Sequence, residues 1–404
     1  METVKEFVER IRRADILVGI PSYNNESTIQ NVVSQVGEGL AIYFPDRRGA
    51  IIVSDGNSLD STRDTAASTP LPKDVELLVT TYEGTAGKGS AIKLVFELAR
   101  RLGSQEVAMV DSDLRSIIPE WVHLLVKPLI KGFGFVAPRY LRYKHDGTIT
   151  NQIAYPMTTA LYGVGVRQPI GGDFGLSRTL VDLMLESPLW ATPYTPRFGI
   201  DISITHTALA NKLPVAEALL GAKVHDVKDP TRHLAPMFRQ VVGALFNAMS
   251  LYAYVWKPIK GFRETKVFKG QIEPTPPEPF KVDYQAAFAA YTKGVRDHAS
   301  TIARVLPDEL VETAIKCTKD QTPISARDWA KISFHFAKSW ISSAENQKED
   351  IIEAYRILWM GRVANHVRDT LNLSDEEAES ITRRDAETFV DQKDYLLSIW
   401  EDRR

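Results

Sequence analysis

The chain has 404 residues, 44% of them hydrophobic and 25% charged, with a formal net charge of −2. That composition describes a soluble globular protein with apolar mass for two domains, and it excludes the overall basic field that would make nucleic acid the expected partner. A single cysteine, Cys317, excludes an intrachain disulfide and a thiolate metal cluster, and fits a reducing compartment.

From Met1 to Asp15 the chain is charged (Lys5, Glu6, Glu9, Arg10, Arg12, Arg13) and lacks the apolar centre of a signal peptide. Residues 16–20, Ile-Leu-Val-Gly-Ile, form an apolar run ended by Pro21, as expected of a buried parallel strand. A helix is expected over Glu26–Val36, then a strand over Ala50–Ser54 ending at Asp55-Gly56-Asn57-Ser58. Asp60–Ala67 reads as a helix opened by a capping side chain, and Val75–Thr81 as a third strand. Gly87–Gly103 begins as a glycine turn and becomes an amphipathic helix, and Glu106–Val110 is a fourth strand ending at Asp111-Ser112-Asp113. Strands and helices alternate, with polar or glycine-rich residues just after each strand. This predicts an open α/β sheet whose site lies at the strands' carboxyl ends. The apolar stretch Val241–Trp256 carries Asn247 and is short for a bilayer span, so it reads as a buried helix and no membrane anchor is expected. Past the proline-rich linker Glu273–Pro279 the pattern is helical to Arg404, with Tyr284–Val305 and Trp329–Ala344 as examples.

Asp111 and Asp113 are the sharpest local signal. Two carboxylates one residue apart at a strand end can reach one point and offer the oxygen ligands that suit Mg²⁺ or Mn²⁺ beside a diphosphate; the alternative is a capped turn. An imidazole from His225 would complete such a site and favour Mn²⁺, unless His225 is structural or Asp226, Lys228 or Asp229 takes that part. Gly87-Lys88-Gly89 places an ammonium between two glycines, where it can meet a diphosphate; it also reads as an ordinary turn, and it lacks the spacing of a P-loop. The loops Pro21-Ser22-Tyr23-Asn24-Asn25-Glu26 and Ser54–Ser58 follow adjacent strands. Tyr23 can lie against a base and the Asp55 carboxylate can accept the imide N–H of uracil, or these are capping and turn residues. Gly171-Gly172 allows a tight bend beneath a sugar whose hydroxyls Asp173 can hold, and Asp201 either caps a helix over Ile202–Ala210 or lies near the acceptor.

Taken in order, these segments, with Gln168-Pro169-Ile170-Gly171-Gly172-Asp173, Phe198-Gly199-Ile200-Asp201, His225 and Met237–Val242, resemble nucleotide-sugar glycosyltransferases with an Asp-x-Asp metal motif. They are most similar to the retaining enzymes that make glucosyl-3-phosphoglycerate, glucosylglycerate and mannosylglycerate. The resemblance covers residues 16 to about 245. It implies a GT-A (Rossmann-like) α/β domain over residues 1–272, with its core at 15–235, and a C-terminal α-helical extension over 273–404. It implies a UDP-, GDP- or ADP-hexose donor, a small acceptor such as glycerate or 3-phosphoglycerate, and Mg²⁺ or Mn²⁺ as cofactor. Asp111, Asp113 and His225 would then hold the metal, and Pro21, Tyr23, Asn25, Glu26, Asp55, Lys88 and Asp111 the donor. Gly171 and Gly172 would meet the acceptor, and Asp173, Asp201 and Lys88 would take catalytic parts. Two residues depart from the family pattern. Asn25 stands where an acid is usual, and Asp173 is one methylene shorter than the commoner Glu.

The expected reaction is direct transfer with retention, the leaving phosphate taking the acceptor's proton. Two alternatives stand beside it: an inverting transferase on a polysaccharide or lipid-linked acceptor, with Asp201 as base, and a non-catalytic sugar-nucleotide-binding subunit. An acceptor phosphate would draw on an arginine such as Arg167, Arg178 or Arg232. A cytoplasmic protein, with a homodimer compatible with the helical tail, completes the expectation.

Overall fold

Every residue of Ile16–Ser22 and of Gly49–Asp55 is buried, the burial of strands covered on both faces. The computed structural model describes residues 2–224, 234–271, 277–279 and 282–401. In chain order it opens with α1 (Val4–Ile11), β1 (Ile16–Ser22), α2 (Ile29–Tyr43), β2 (Gly49–Asp55), α3 (Thr62–Ala67) and β3 (Val75–Thr81). There follow α4 (Lys88–Leu102), β4 (Glu106–Met109), α5 (Glu120–Ile130) and β5 (Phe135–Leu141). A π-helical turn (Thr150–Ala154) leads to α6 (Tyr155–Tyr162) and β6 (Val164–Gly165), and then come β7 (Phe174–Ser177), α7 (Arg178–Leu185), α8 (Ile200–Ala210) and β8 (Val215–Ala222). The remainder is α9 (Ala235–Leu251), α10 (Ala253–Trp256), β9 (Arg263–Glu264), β10 (Lys266–Phe268) and the helices α11 (Tyr284–Asp297), α12 (Ala299–Val305), α13 (Asp308–Asp320), α14 (Ala326–Ser342), α15 (Glu345–Thr370), α16 (Asp375–Asp391) and α17 (Lys393–Glu401).

The chain forms two compact units. The first comprises Met1–Leu141, Gln168–Asp226 and Thr265–Pro277. The second comprises Arg142–Arg167, Val227–Glu264 and Glu278–Arg404. Residues 142–167 and 234–264, which the sequence reading placed in the N-terminal domain, therefore pack with the helices. The reason is long-range: Gln152 accepts from the Trp329 indole through its carbonyl and from Arg362 through its side chain. Contacts of this kind leave no mark on local periodicity.

In the first unit an eight-stranded sheet runs in the order β10-β8-β5-β7-β4-β1-β2-β3. β7 is antiparallel to β4 and β5, and the other pairings are parallel. Side chains alternate across β1. Ile16, Val18 and Ile20 join a core with Val32 and Val36 of α2 and Trp121 and Leu125 of α5. Gly19 faces the other way, and a Cβ there would lie 2.5 Å from Val95 of α4. α4 runs as expected, from a Gly87 N-cap to Gly103 in the left-handed conformation at φ 70°. The helix expected from Glu26 begins at Ile29, because the Asn25 carbonyl turns the chain first, accepting from the N–H groups of Thr28 (3.0 Å) and Ile29 (2.9 Å). Asp60 caps from outside α3, its Oδ1 accepting from the Thr62 N–H at 3.0 Å.

The second unit is helical apart from the β6–β9 pair. α11 and α15 approach closely at Gly294 and Gly361, where a Cβ would lie 2.6 Å from Ile357 and 2.7 Å from Tyr291 respectively. Around Tyr355 of α15 stack Trp329 and Phe336 of α14, with ring centroids at 5.3 and 5.1 Å. The stretch expected as one buried helix over Val241–Trp256 divides at Tyr252 into α9 and α10. Among the described residues no helix is long and apolar enough to cross a membrane.

Candidate active site

Parallel strands deliver their following loops to one edge of the sheet. Asp111 follows β4, Lys88 opens α4, Asp173 precedes β7, Asp201 lies in the first turn of α8, and Lys223 follows β8. Their side chains meet. Lys88 Nζ lies 2.8 Å from Asp111 Oδ1 and 3.2 Å from Asp201 Oδ2. Lys223 Nζ lies 2.8 Å from Asp111 Oδ2 and 2.9 Å from Asp173 Oδ2, and it also donates to the Gly171 carbonyl at 2.9 Å. Asp173 Oδ1 accepts from the Asp111 N–H at 2.7 Å, and its Oδ2 accepts from the Tyr140 hydroxyl.

Three carboxylates and two ammonium groups give this cluster a formal charge of −1. Burial pushes the Asp111 carboxyl up, but the ammonium groups of Lys223 and Lys88 outweigh it and hold Asp111 well below the usual carboxylate range. Burial would depress Lys88, yet Asp111 and Asp201 raise it further than burial lowers it. Asp173 and Asp201 end above their ordinary value, burial being the largest cause for both, with the Asp111 charge adding to it and lysines opposing it. Asp201 Oδ1 is buried with no hydrogen-bond partner among the described residues.

Glycine is required where the cluster closes. Gly172 has φ 91°, and a Cβ there would lie 2.4 Å from Asp111 Oδ2 and 3.0 Å from Lys88 Nζ. The glycines around Lys88 answer to a different neighbour from the ligand expected of them. A Cβ on Gly89 would stand 1.9 Å from the Thr195 carbonyl oxygen, and the N–H groups of Gly89 and Ser90 donate to the carbonyls of Arg197 (3.2 Å) and Pro196 (2.9 Å). The start of α4 is thus docked on the 195–197 backbone while Lys88 reaches into the cluster.

Several residues expected to meet the donor have partners within the protein. Asp55 is fully buried and faces the protein: Oδ2 accepts from the hydroxyls of Ser22 (2.8 Å) and Ser58 (2.6 Å), and Oδ1 from the Ser58 N–H (2.7 Å). It pins two loops together rather than presenting an acceptor to a base. Pro21 is buried at the end of β1. Asn25 Oδ1 accepts from the Tyr23 N–H (3.0 Å) and the Ser112 hydroxyl (2.8 Å), tying the first loop to the Asp-Ser-Asp turn. Glu26 accepts from the Ser61 N–H at 3.0 Å. Tyr23 is 57% exposed, the open member of that donor-side set, and its ring lies beside Gly56, whose Cβ would be 3.2 Å from Tyr23 Cδ2. Asp201 is not the helix cap; Gly199 holds that position, and Asp201 is turned onto Lys88.

For metal binding, the expected triad divides. Both oxygens of Asp111 are taken by lysines, so it is not an open ligand. Asp113 is half-buried and its carboxylate has no hydrogen bond or ion pair among the described residues. His225 lies outside the described residues, as does Arg232. Among the described residues no group of three acids, histidines or cysteines is gathered to hold a metal ion. Arg167 lies in the second unit, paired with Glu379 at 2.8 and 2.7 Å and with Asn151 at 2.8 Å, and Arg178 pairs with Asp182 at 2.8 Å.

The sequence reading missed Lys223 and Tyr140. Lys223 stands two residues before His225 in the same strand-end segment; a cation placed there beside three acids of a strand-edge site was the available signal.

Residues 17–180 match the sequence model described as glycosyl transferase family 2. Glucosyl-3-phosphoglycerate synthase of Petrotoga mobilis is 23% identical over 274 residues, covering 62% of this chain and 79% of that protein. Among solved structures, glucosyl-3-phosphoglycerate synthase of Mycobacterium tuberculosis with Mn²⁺, UDP and glucosyl-3-phosphoglycerate is 25% identical, with a TM-score of 0.46, 62% of this chain and 85% of that chain covered. The same enzyme with Mg²⁺ and UDP gives 25% identity and a TM-score of 0.46, over 62% of this chain and 84% of that one. Over residues 17–180 the chain matches glycosyl transferase family 2, and the protein is a glycosyltransferase.

Proposed function

We propose that the protein transfers a hexose, glucose in the first instance, from a nucleotide diphosphate donor to glycerate or 3-phosphoglycerate with retention of configuration. The observation that carries this reading is the buried Lys88–Asp111–Lys223–Asp173 network at the sheet's carboxyl edge, in a chain related to glucosyl-3-phosphoglycerate synthase. Lys88 supplies a positive charge fixed in place before substrate arrives, which is what a departing diphosphate needs. The Gly172 bend brings backbone directly against that charge with no side chain between. Tyr23 offers an exposed ring for the base.

Asp113 fits a divalent cation, being an open carboxylate beside a closed one, and His225 is the nitrogen ligand proposed to join it. A bound Mg²⁺ or Mn²⁺ would neutralise negative charge on the leaving diphosphate. In the transfer itself the bond from the anomeric carbon to the phosphate oxygen breaks and one to the acceptor hydroxyl forms on the same face. The hydroxyl proton passes to the leaving phosphate, so no side chain need act as base.

One observation favours a second reading. Asp201 is buried, has an oxygen without a partner among the described residues, and has a raised pKa, the properties of a general base in an inverting enzyme. Incubation with Mn²⁺, glycerate or 3-phosphoglycerate, and UDP-, GDP- and ADP-glucose tests both readings. The expected result is nucleotide diphosphate release with an α-configured product in the first proton NMR spectra. A β-product sinks retention, and no acceptor-dependent release with any donor sinks the acceptor class.

A further inference from the structure

In the second unit, where α11 runs beside α15, a cavity of about 250 Å³ opens between Tyr284, Gln285 and Phe288 of α11, Gln321 at the end of α13, and Asn365 and Arg368 of α15. Asn365 is 1% exposed. Its Oδ1 accepts from the Ile324 N–H at 3.3 Å and faces the Cys317 thiol at 3.7 Å, which fixes the orientation of the amide. Its Nδ2 is left buried with no partner among the described residues, a costly arrangement unless something else accepts from it. The side-chain amides of Gln285 and Gln321 and the Tyr284 hydroxyl also make no hydrogen bond among the described residues. Arg368 is the charged group on the wall, and Asp369 at 2.8 Å and the Gln321 carbonyl at 2.9 Å already engage it.

We propose that this cavity binds an uncharged, polyhydroxylated ligand of hexose size, at a site separate from the transfer site. Each primary amide offers one donor face and one acceptor face, the complement of vicinal hydroxyl groups. Tyr284 and Phe288, four residues apart on one face of α11, offer aromatic surface for the C–H face of a sugar ring. The guanidinium neutralised by Asp369 gives no net charge to attract a carboxylate or phosphate. The volume falls below the range that suits drug-sized ligands and fits a single ring.

Saturation-transfer NMR on the full chain tests this, with D-glucose and D-mannose as probes and D-glycerate as the anionic comparison. The expected result is transfer to a hexose that persists in Asp113→Ala, weakens roughly two- to tenfold in Phe288→Ala with the loss of one aromatic wall, and disappears in Ala289→Trp, which fills the cavity from an exposed position. Circular dichroism matching the parent's confirms that both pocket variants fold. The proposal is overturned by no transfer to either hexose, by transfer unchanged in folded Ala289→Trp, by transfer lost in Asp113→Ala, or by glycerate outcompeting the hexoses. Failure here leaves the transfer assay untouched, because both pocket variants lie in the second unit, outside the charged cluster.

Discussion

Lys223→Met removes one ammonium and keeps the length of the side chain, and its consequences follow from three contacts. Lys223 Nζ is within 2.9 Å of Asp111, Asp173 and the Gly171 carbonyl, and its side chain is 5% exposed. Without it the cluster's formal charge falls from −1 to −2, and Asp173, fully buried, loses its ammonium partner. Breaking a buried ion pair costs about 3–5 kcal/mol. The lower end applies, because Lys88 still holds Asp111, and Tyr140 and the Asp111 N–H still hold Asp173. A loss of about 3 kcal/mol lowers the melting temperature by roughly 6–12 °C for a unit of this size. The sign of the pH dependence is fixed. The Asp173 carboxyl already sits above its ordinary value and moves higher in the variant, so the folded state keeps a proton that the unfolded chain gives up near pH 4. The variant's deficit relative to the parent therefore grows as pH rises past the parent's own raised Asp173 value and shrinks as pH falls below it. Thermal melts at pH 5 and pH 8 should show the larger gap at pH 8, and Lys223→Arg should recover most of it at both. A gap equal at the two pH values, or absent, refutes the assignment of Lys223 as the charge that holds these acids.

Gly172→Ala should lower kcat by roughly a hundredfold or more with little change in secondary structure, since the methyl would enter at 2.4 Å from Asp111 and displace it; steady-state kinetics with circular dichroism checks this. Asp113→Ala should abolish turnover and remove the Mn²⁺ dependence of UDP binding; calorimetric titrations that still differ with and without metal would count against it. Tyr23→Ala should weaken donor binding by about 1 kcal/mol while leaving the melting temperature unchanged, read by fluorescence titration with the nucleotide diphosphate. In the second unit, burial and then the His366 charge hold His145 at about 4, and burial with Arg362 holds His366 at about 4. Both are depressed, so stability is full above pH 6.5 and is lost as pH falls toward 4, by up to roughly 3 kcal/mol each; replacing either with Asn should flatten the acid limb of a stability–pH curve.

The parts of the fold that local chemistry determines are readable in the sequence. β1 and β2 are unbroken apolar runs because both faces are covered, and α4 lies between a glycine start and a glycine stop. β7 was not readable: its four residues, Phe174–Ser177, show neither alternation nor length, and the strand exists because β4 and β5 flank it. The same holds for residues 142–167, whose partners include Arg362 and Glu379, 210 and 212 residues downstream in sequence. In the site, residue type and position after a strand single out Lys88, Asp111, Asp173 and Asp201, and the fold brings their side chains into one cluster. The direction of a side chain was the harder matter. Asp55 looks like a base contact by position, and only the hydroxyls of Ser22 and Ser58 on neighbouring loops decide that it turns inward.

That difference also divides the labour within Asp-Ser-Asp. A divalent cation ligated by Asp111 would share the carboxylate with two ammonium groups, each 2.8 Å from one of its oxygens. At a separation of roughly 4 Å and an effective dielectric near 20, each would repel a doubly charged ion by about 8 kcal/mol. Asp113 carries no such burden, having no ion pair among the described residues. The first acid is therefore an anchor: through its N–H and both oxygens it joins the turn after β4 to α4, to the Gly172 bend and to the end of β8. The second is the one left open to a cation. An Asp111→Asn substitution should accordingly lower the melting temperature more than Asp113→Asn does, while Asp113→Asn should cost the greater share of Mn²⁺ affinity; the reverse ranking in paired thermal and calorimetric measurements would overturn this division.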